Sequence, residues 1–197
     1  MSIKPNYKVV SELIKPNSKV LDLGCGDGSL LKMLHEVKNV TGVGIEIDQH
    51  MVLRTLEKGL SVIQDDIDEG LKAFRDKEYD YVILNQTLQS TEKPDYVMDE
   101  MLRVGKKAVV SFPNFGYWKV RIYLLFKGKM PKSERLPYEW YNTPNIHLLT
   151  IKDFYEFCDK RNIKIEKAIF LTKSKRTKFL LWDKINCDEA VFIVSRN

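Results

Sequence analysis

The 197-residue chain predicts an α/β fold built on a doubly wound, mainly parallel sheet. Three observations carry this reading. Short β-rich apolar runs alternate with longer segments of helical period. A glycine-rich turn follows the first run, and acidic residues stand at or just after the ends of the second and third. The segments between runs are long enough for crossover connections, so the first five strands pair in parallel.

The elements follow in order. Lys19–Leu23 (KVLDL) is a buried first strand, and residues 29–37 form a helix with Leu30, Leu31, Met33 and Leu34 on one face. Residues 41–47 (TGVGIEI) are the second strand, and a helix follows from Gln49 to Lys58. Gly59 ends that helix by supplying a left-handed cap. Ser61–Gln64 is a short third strand, residues 79–84 the fourth and residues 107–112 the fifth, with a helix over 96–104 between the last two. Pro113 lacks the N–H a ladder needs, so the fifth strand stops there. In the second half, residues 116–126 predict an amphipathic helix whose Trp118, Ile122 and Phe126 pack into the core. Residues 127–144 are a long loop with Pro131, Pro137 and Pro144. Thr150 N-caps a helix through Lys160, with Ile151, Phe154, Tyr155, Phe157 and Cys158 on its apolar side. Residues 163–171 and 190–194 are two late strands. The whole, residues 1–197, reads as one domain carrying an insertion or lid at about 114–149.

Composition excludes several classes. Hydrophobic residues are 44% and charged residues 30%, as in a globular protein and unlike a disordered one. The longest run free of Asp, Glu, Lys and Arg is 12 residues, Trp140 to Ile151, against about 20 for a membrane-spanning helix. No signal peptide is expected, since charges and prolines interrupt the N-terminal segment. Cys25, Cys158 and Cys187 are odd in number and far apart, which points to a reducing cytoplasm with neither a metal site nor a disulfide framework. Residues 1–100 hold 12 Lys/Arg against 18 Asp/Glu, and residues 101–197 hold 20 against 9. The basic half reads as a solvated surface, with an anionic partner such as nucleic acid or an acidic protein face as the alternative. The 173–178 run (KSKRTK) reads as a solvated turn, with no aromatic interleaving to suggest nucleic acid. Neither nucleic acid nor membrane is an expected partner.

The chemistry centres on VLDLGCGDGS, residues 20–29. Gly24, Gly26 and Gly28 let a ligand approach the backbone above the strand end. Their spacing is GxGxG; the dinucleotide pattern GxGxxG would place its third glycine at Ser29. Glu46 lies 18 residues beyond Gly28, near the spacing of about 20 at which an acid meets ribose hydroxyls in such folds. Asp65 and Asp66 follow the third strand, where a carboxylate could accept from an adenine amino group. Asn85 ends the fourth. All lie at the carboxyl edge of one parallel sheet, where open sheets bind ligands.

These residues resemble class I S-adenosylmethionine-dependent methyltransferases: DLGCGDG their first motif, Glu46 their second, IQDDID their third and YDYVILNQTLQ the segment around their fourth strand. The resemblance implies a Rossmann-like, seven-stranded sheet of order 3-2-1-4-5-7-6 with one antiparallel strand, the class I methyltransferase fold. The runs VIQDDIDEGL, MLRVGKKAVVSFPNFGYWKVR, LPYEWYNTPNIHLLTIKDF and IEKAIFL narrow it to the methionine biosynthesis MetW family, over about residues 5–172, with the tail from Lys173 outside it. This closer resemblance implies a bacterial cytoplasmic protein that acts with a homoserine O-acyltransferase. The cofactor expected is S-adenosylmethionine or S-adenosylhomocysteine, held by Asp22, Gly24, Cys25, Gly26, Gly28, Glu46, Ile47, Asp66, Ile67 and Asn85. Asp22 reads as orienting the loop or reaching the ligand's ammonium, and Cys25 as packing rather than a nucleophile. Asp68 is expected as a helix N-cap. Residues 136–147, dense in aromatic and hydrogen-bonding tips, suit a pocket lid or a partner surface. His147 within them is expected to satisfy a local hydrogen bond. No residue stands out as a catalytic base. A regulatory protein sensing the ligand and an active methyltransferase on a small molecule both fit, with a nicotinamide oxidoreductase a distant third.

Overall fold

The computed structural model describes residues 5–133, 136–173, 175–176 and 183–196. In chain order the elements are α1 (Pro5–Leu13), β1 (Lys19–Leu23), α2 (Ser29–Lys38), β2 (Thr41–Glu46), α3 (Gln49–Glu57), β3 (Ser61–Gln64), β4 (Tyr79–Asn85), α4 (Pro94–Val104), β5 (Gly105–Pro113), α5 (Trp118–Lys127), α6 (Ile151–Lys160), β6 (Ile163–Thr172), β7 (Lys175–Arg176), α7 (Asp183–Asn186) and β8 (Glu189–Arg196). Two short 3₁₀ turns, Ile67–Glu69 and Leu88–Ser90, follow β3 and β4.

The sheet runs β3-β2-β1-β4-β5-β8-β6-β7. The first five strands are parallel, and β8 inserts antiparallel between β5 and β6. The expected seven strands are eight: the two-residue β7 turns back antiparallel on β6 and closes that edge. It takes Lys175 and Arg176 from the basic 173–178 run, of which Ser174, Thr177 and Lys178 lie outside the described residues. A two-residue, doubly cationic edge strand discourages further pairing.

Strand alternation divides the core. Val20, Tyr81, Ile83, Val109 and Val191 face α1 and α2, while Leu21, Leu23, Val82, Leu84, Val110 and Phe192 face α4 and α6. Thr150 caps α6 through a capping box with Asp153, and β5 ends at Pro113 as expected.

One element is added and two further expectations are corrected. Helix α1, unread in the sequence, packs Tyr7, Val9, Val10 and Leu13 onto α2 and the sheet. The N-cap of the first 3₁₀ turn is Asp66, whose carboxylate accepts from Asp68 N; Asp68 instead accepts from Glu92 N and Lys93 N at the start of α4. Trp118, Ile122 and Phe126 of α5 are exposed, and only Val120 of that helix is buried. Among the described residues no helix is long and apolar enough to cross a membrane.

Candidate functional site

The registers Leu23↔Ile45 and Leu23↔Leu84 bring the carboxyl ends of β1, β2 and β4 level. There the chain leaves β1 through Gly24. Cys25 N donates to the Ile45 carbonyl at 3.0 Å, and Gly26 N donates to Glu46 Oε2 at 2.7 Å. Glu46 Oε1 accepts from Ile47 N and Asp48 N, each at 3.0 Å. One carboxylate thus ties the glycine loop to the end of β2. Behind the loop, Thr55 Oγ1 donates to the Gly26 carbonyl at 2.9 Å. Lys58 Nζ reaches the Asp27 carboxylate at 2.7 Å and Ser29 Oγ at 2.9 Å.

Gly26 and Gly28 share a left-handed backbone for different reasons. At Gly28 (φ +70) an added Cβ would lie 2.8 Å from Thr55 Cγ2, so protein fills the space. At Gly26 (φ +57) the same atom would meet nothing within 4 Å. The side left bare at Gly26 faces open volume rather than the fold.

Two cavities meet at Gly24. One, of about 420 Å³, is walled by Glu46, Ile47, Asp65, Asp66, Ile67 and Asp68, with Gln86, Glu92 and Ile146 across from them. The other, of about 350 Å³, is walled by Tyr7, Asp22, Gly26, Asp27, Arg54 and Asn85. Every expected residue except Gly28 therefore lines one lobe or both. Gly28 packs on Thr55. Cys25 lines the second lobe, but its sulfur faces Gly44, where a Cβ would stand 2.5 Å from Sγ. Burial pushes the Cys25 thiol up to about 12, so it is protonated and inert as a nucleophile.

Asp22 is buried, and its Oδ2 has no hydrogen-bond partner. Burial, then the nearby Glu46 charge, push its carboxyl up to about 7. A carboxyl kept dry, with one oxygen unmatched and the cavity beside it, is a place for a cation or a donor. Burial pushes Asp27 up, but the Lys58 ammonium and Ser29 outweigh it and hold the group below its ordinary value. Burial, with Asp22 and Asp27 nearby, raises the Tyr7 phenol.

Several residues of the site were not readable from spacing. Asn85 Oδ1 accepts from Ser111 Oγ at 2.6 Å and from Asn6 Nδ2 of α1 at 2.9 Å. Gln86 sits at φ +62, an uncommon conformation for a side chain. Its Nε2 donates to buried Glu189 at the start of β8, at 2.6 Å. The Gln89 carbonyl accepts two amides, Ile146 N at 2.7 Å and His147 N at 3.0 Å, so the end of the insertion is strapped over the first lobe. His147, expected to satisfy a local hydrogen bond, has its ring Nε2 buried without a partner. It faces an adjoining apolar cavity of about 320 Å³ between α4 and α6, lined by Leu88, Met98, Leu149 and Phe154. Among the described residues no cluster suited to a metal ion occurs.

Comparison with known proteins follows the same lines. The family model described as "Methionine biosynthesis protein MetW" matches residues 4–194, so the similarity runs past Lys173, where it was expected to stop. A curated relative, the bifunctional methionine biosynthesis protein MetXA/MetW of Rhodopirellula baltica, is 36% identical over 207 residues. That alignment takes in 100% of this chain and 33% of the relative, so the chain spans a third of the relative's length. A solved S-adenosylmethionine-dependent methyltransferase of Mesorhizobium loti superposes with TM-score 0.72 at 14% identity, covering 98% of each chain. Another from Thermotoga maritima, described as a possible histamine N-methyltransferase, gives 0.69 at 16%, over 98% of this chain and 88% of that one. At these identities the two structures establish a shared methyltransferase fold.

Proposed function

The chain belongs to the methionine biosynthesis protein MetW family, and from that premise we propose that it binds S-adenosylmethionine or S-adenosylhomocysteine and thereby supports or regulates a homoserine O-acyltransferase. The observation that carries the ligand reading is the sign of the cavity. Glu46, Asp65, Asp66, Asp68 and Glu92 line the first lobe with no cation among its walls, and Asp22 and Asp27, the latter paired to Lys58, line the second with Arg54. A dinucleotide brings a doubly negative pyrophosphate, which such a lining repels. An adenosyl sulfonium amino acid carries two positive groups and one carboxylate, which the lining suits.

The residues fit the group. Glu46 Oε2, which accepts one loop amide, keeps a lone pair for a ribose hydroxyl, with Ile47 and Ile67 as apolar walls for the base and Asp66 or Asp65 as acceptor for its amino group. In the second lobe the orphaned Asp22 oxygen meets the ammonium, Gly26 gives close approach, and Arg54 meets the carboxylate, with Asn85 Nδ2 as a further donor. When bound, S-adenosylmethionine supplies an electrophilic methyl on its sulfonium. The protein's part is to hold, orient and neutralise.

The partner reading draws on the relative that joins a MetXA portion and a MetW portion in one polypeptide. Coupling requires that ligand occupancy differ in free energy between the free and partner-bound chain. A second reading, methyl transfer to a small molecule, has in its favour the apolar His147 cavity beside the first lobe as a place for an acceptor.

Calorimetry with S-adenosylhomocysteine tests the ligand. Binding is expected, and Glu46→Ala should weaken it by about tenfold or more, the value of a charge-assisted hydrogen bond. Undiminished affinity in a folded variant removes the assignment. Acyl transfer assayed with and without this chain separates the two readings: an unchanged rate leaves the methyltransferase in front.

A further inference from the structure

Helix α5 bears apolar side chains all round its cylinder, and this chain covers one of them. Residues 121–127 are exposed throughout, Leu125 and Phe126 each at 77%. At about 100° per residue, Ile122, Tyr123, Leu124, Leu125 and Phe126 point to every side. A helix of that pattern belongs inside a protein. A helix lying on a membrane keeps its apolar residues on one side and its cations on the other, and α5 has no such division.

The surroundings add charge and shape. From residue 116 to residue 133 stand five cations, Lys119, Arg121, Lys127, Lys129 and Lys132, and no carboxylate. Beside α5, the following loop folds back so that Tyr123, Met130, Tyr138 and Trp140 wall a hollow of about 540 Å³. Trp140 is 74% exposed, and tryptophan and tyrosine are the side chains that most often dominate binding at interfaces. The Rhodopirellula relative shows that a chain of this family can be continuous with another protein portion, since two thirds of its length lies outside the match.

We propose that α5 and the 138–141 loop dock in a groove of the acyltransferase, apolar on its floor and rimmed by carboxylates. The groove encloses the helix on the sides this chain leaves bare, and its rim answers the cations other than Lys132, which Glu139 of the loop already pairs. This inference rests on the partner reading given above, and the experiment keeps the two apart.

Affinity for the purified acyltransferase is measured for the unaltered chain, for Leu125→Glu with Phe126→Glu, and for Trp140→Ala. The double variant should bind at least about a hundredfold more weakly and Trp140→Ala about tenfold, as for central interface residues. Melting temperature and S-adenosylhomocysteine affinity should stay as they were, because these side chains lie outside the core and outside the two lobes at the sheet edge. If the unaltered chain does not bind the acyltransferase, the partner reading itself falls and takes this inference with it. If it binds and the double variant binds equally well, the docking face lies elsewhere while the partner reading stands. Sedimentation of the free chain as a dimer that the double variant splits would assign the face to a second copy. Capture by anionic phospholipid vesicles, lost in the double variant while acyltransferase affinity is kept, would assign it to a lipid surface. Either result overturns the proposal.

Discussion

Asp22 concentrates the electrostatics of the site in one side chain. An aspartate in an unfolded chain titrates near about 4; here burial and Glu46 push it up to about 7. The folded chain therefore holds a proton that the unfolded chain has released, so this group's contribution to stability is whole below about pH 4, declines as pH rises to about 7, and is level above. Asp22→Asn should flatten that decline in denaturant titrations. A cationic ligand beside Asp22 favours its ionised form, so at about pH 6.5 binding should expel a proton. Calorimetry of S-adenosylhomocysteine in buffers of unequal ionisation heat reads that proton, and Asp22→Asn should abolish the buffer dependence. Equal dependence in both proteins would take Asp22 out of the site. The glycines, Glu46 and Asp22 were legible because strand ends and turn chemistry lie in local sequence. Asn6, 79 residues from Asn85, and Glu189, 103 residues from Gln86, reach the site only through tertiary folding, which no spacing rule encodes.

Elements were legible where local chemistry and burial agree. Thr150 and Asp153 cap α6 reciprocally, with Thr150 Oγ1 accepting from Asp153 N at 3.3 Å and Asp153 Oδ2 accepting from Thr150 N at 2.8 Å. Thr150→Ala should cost about 1 kcal/mol, read as a lower denaturant midpoint at unchanged slope; an unchanged midpoint would mean the cap is redundant. The parallel strands were readable as short apolar runs because both of their faces are covered. Helix α1 escaped notice because its Lys4-Pro5-Asn6 opening resembles a turn, although a proline in the first helical turn is well placed. Helix α5 was assigned to the core on the premise that large apolar residues lie inside. Its sequence satisfies that premise, but only Val120 finds an interior within this chain.

At the scale of the molecule, the sheet's carboxyl edge joins three parts of the chain. The ends of β1, β2 and β3 and the segments after them supply most of the acids, α1 closes over the second lobe with Asn6 and Tyr7, and the insertion returns across the first lobe at Ile146. The architecture was legible as a repeating strand–helix pattern, whereas the strap was hidden in a loop without periodicity. That strap depends on a single oxygen. The Gln89 carbonyl serves both Ile146 and His147, so displacing that one oxygen frees both N–H groups. Ile146 forms part of the wall a nucleoside would press against, and a filled lobe keeps that pair shut. Deuterium uptake at residues 146–147 should slow by about tenfold with saturating S-adenosylhomocysteine, as suppression of local opening allows; unaltered uptake would show the lobe and the insertion to be mechanically independent. Through that one carbonyl, on the approach to α4, the aromatic loop is tied to the wall of the first lobe.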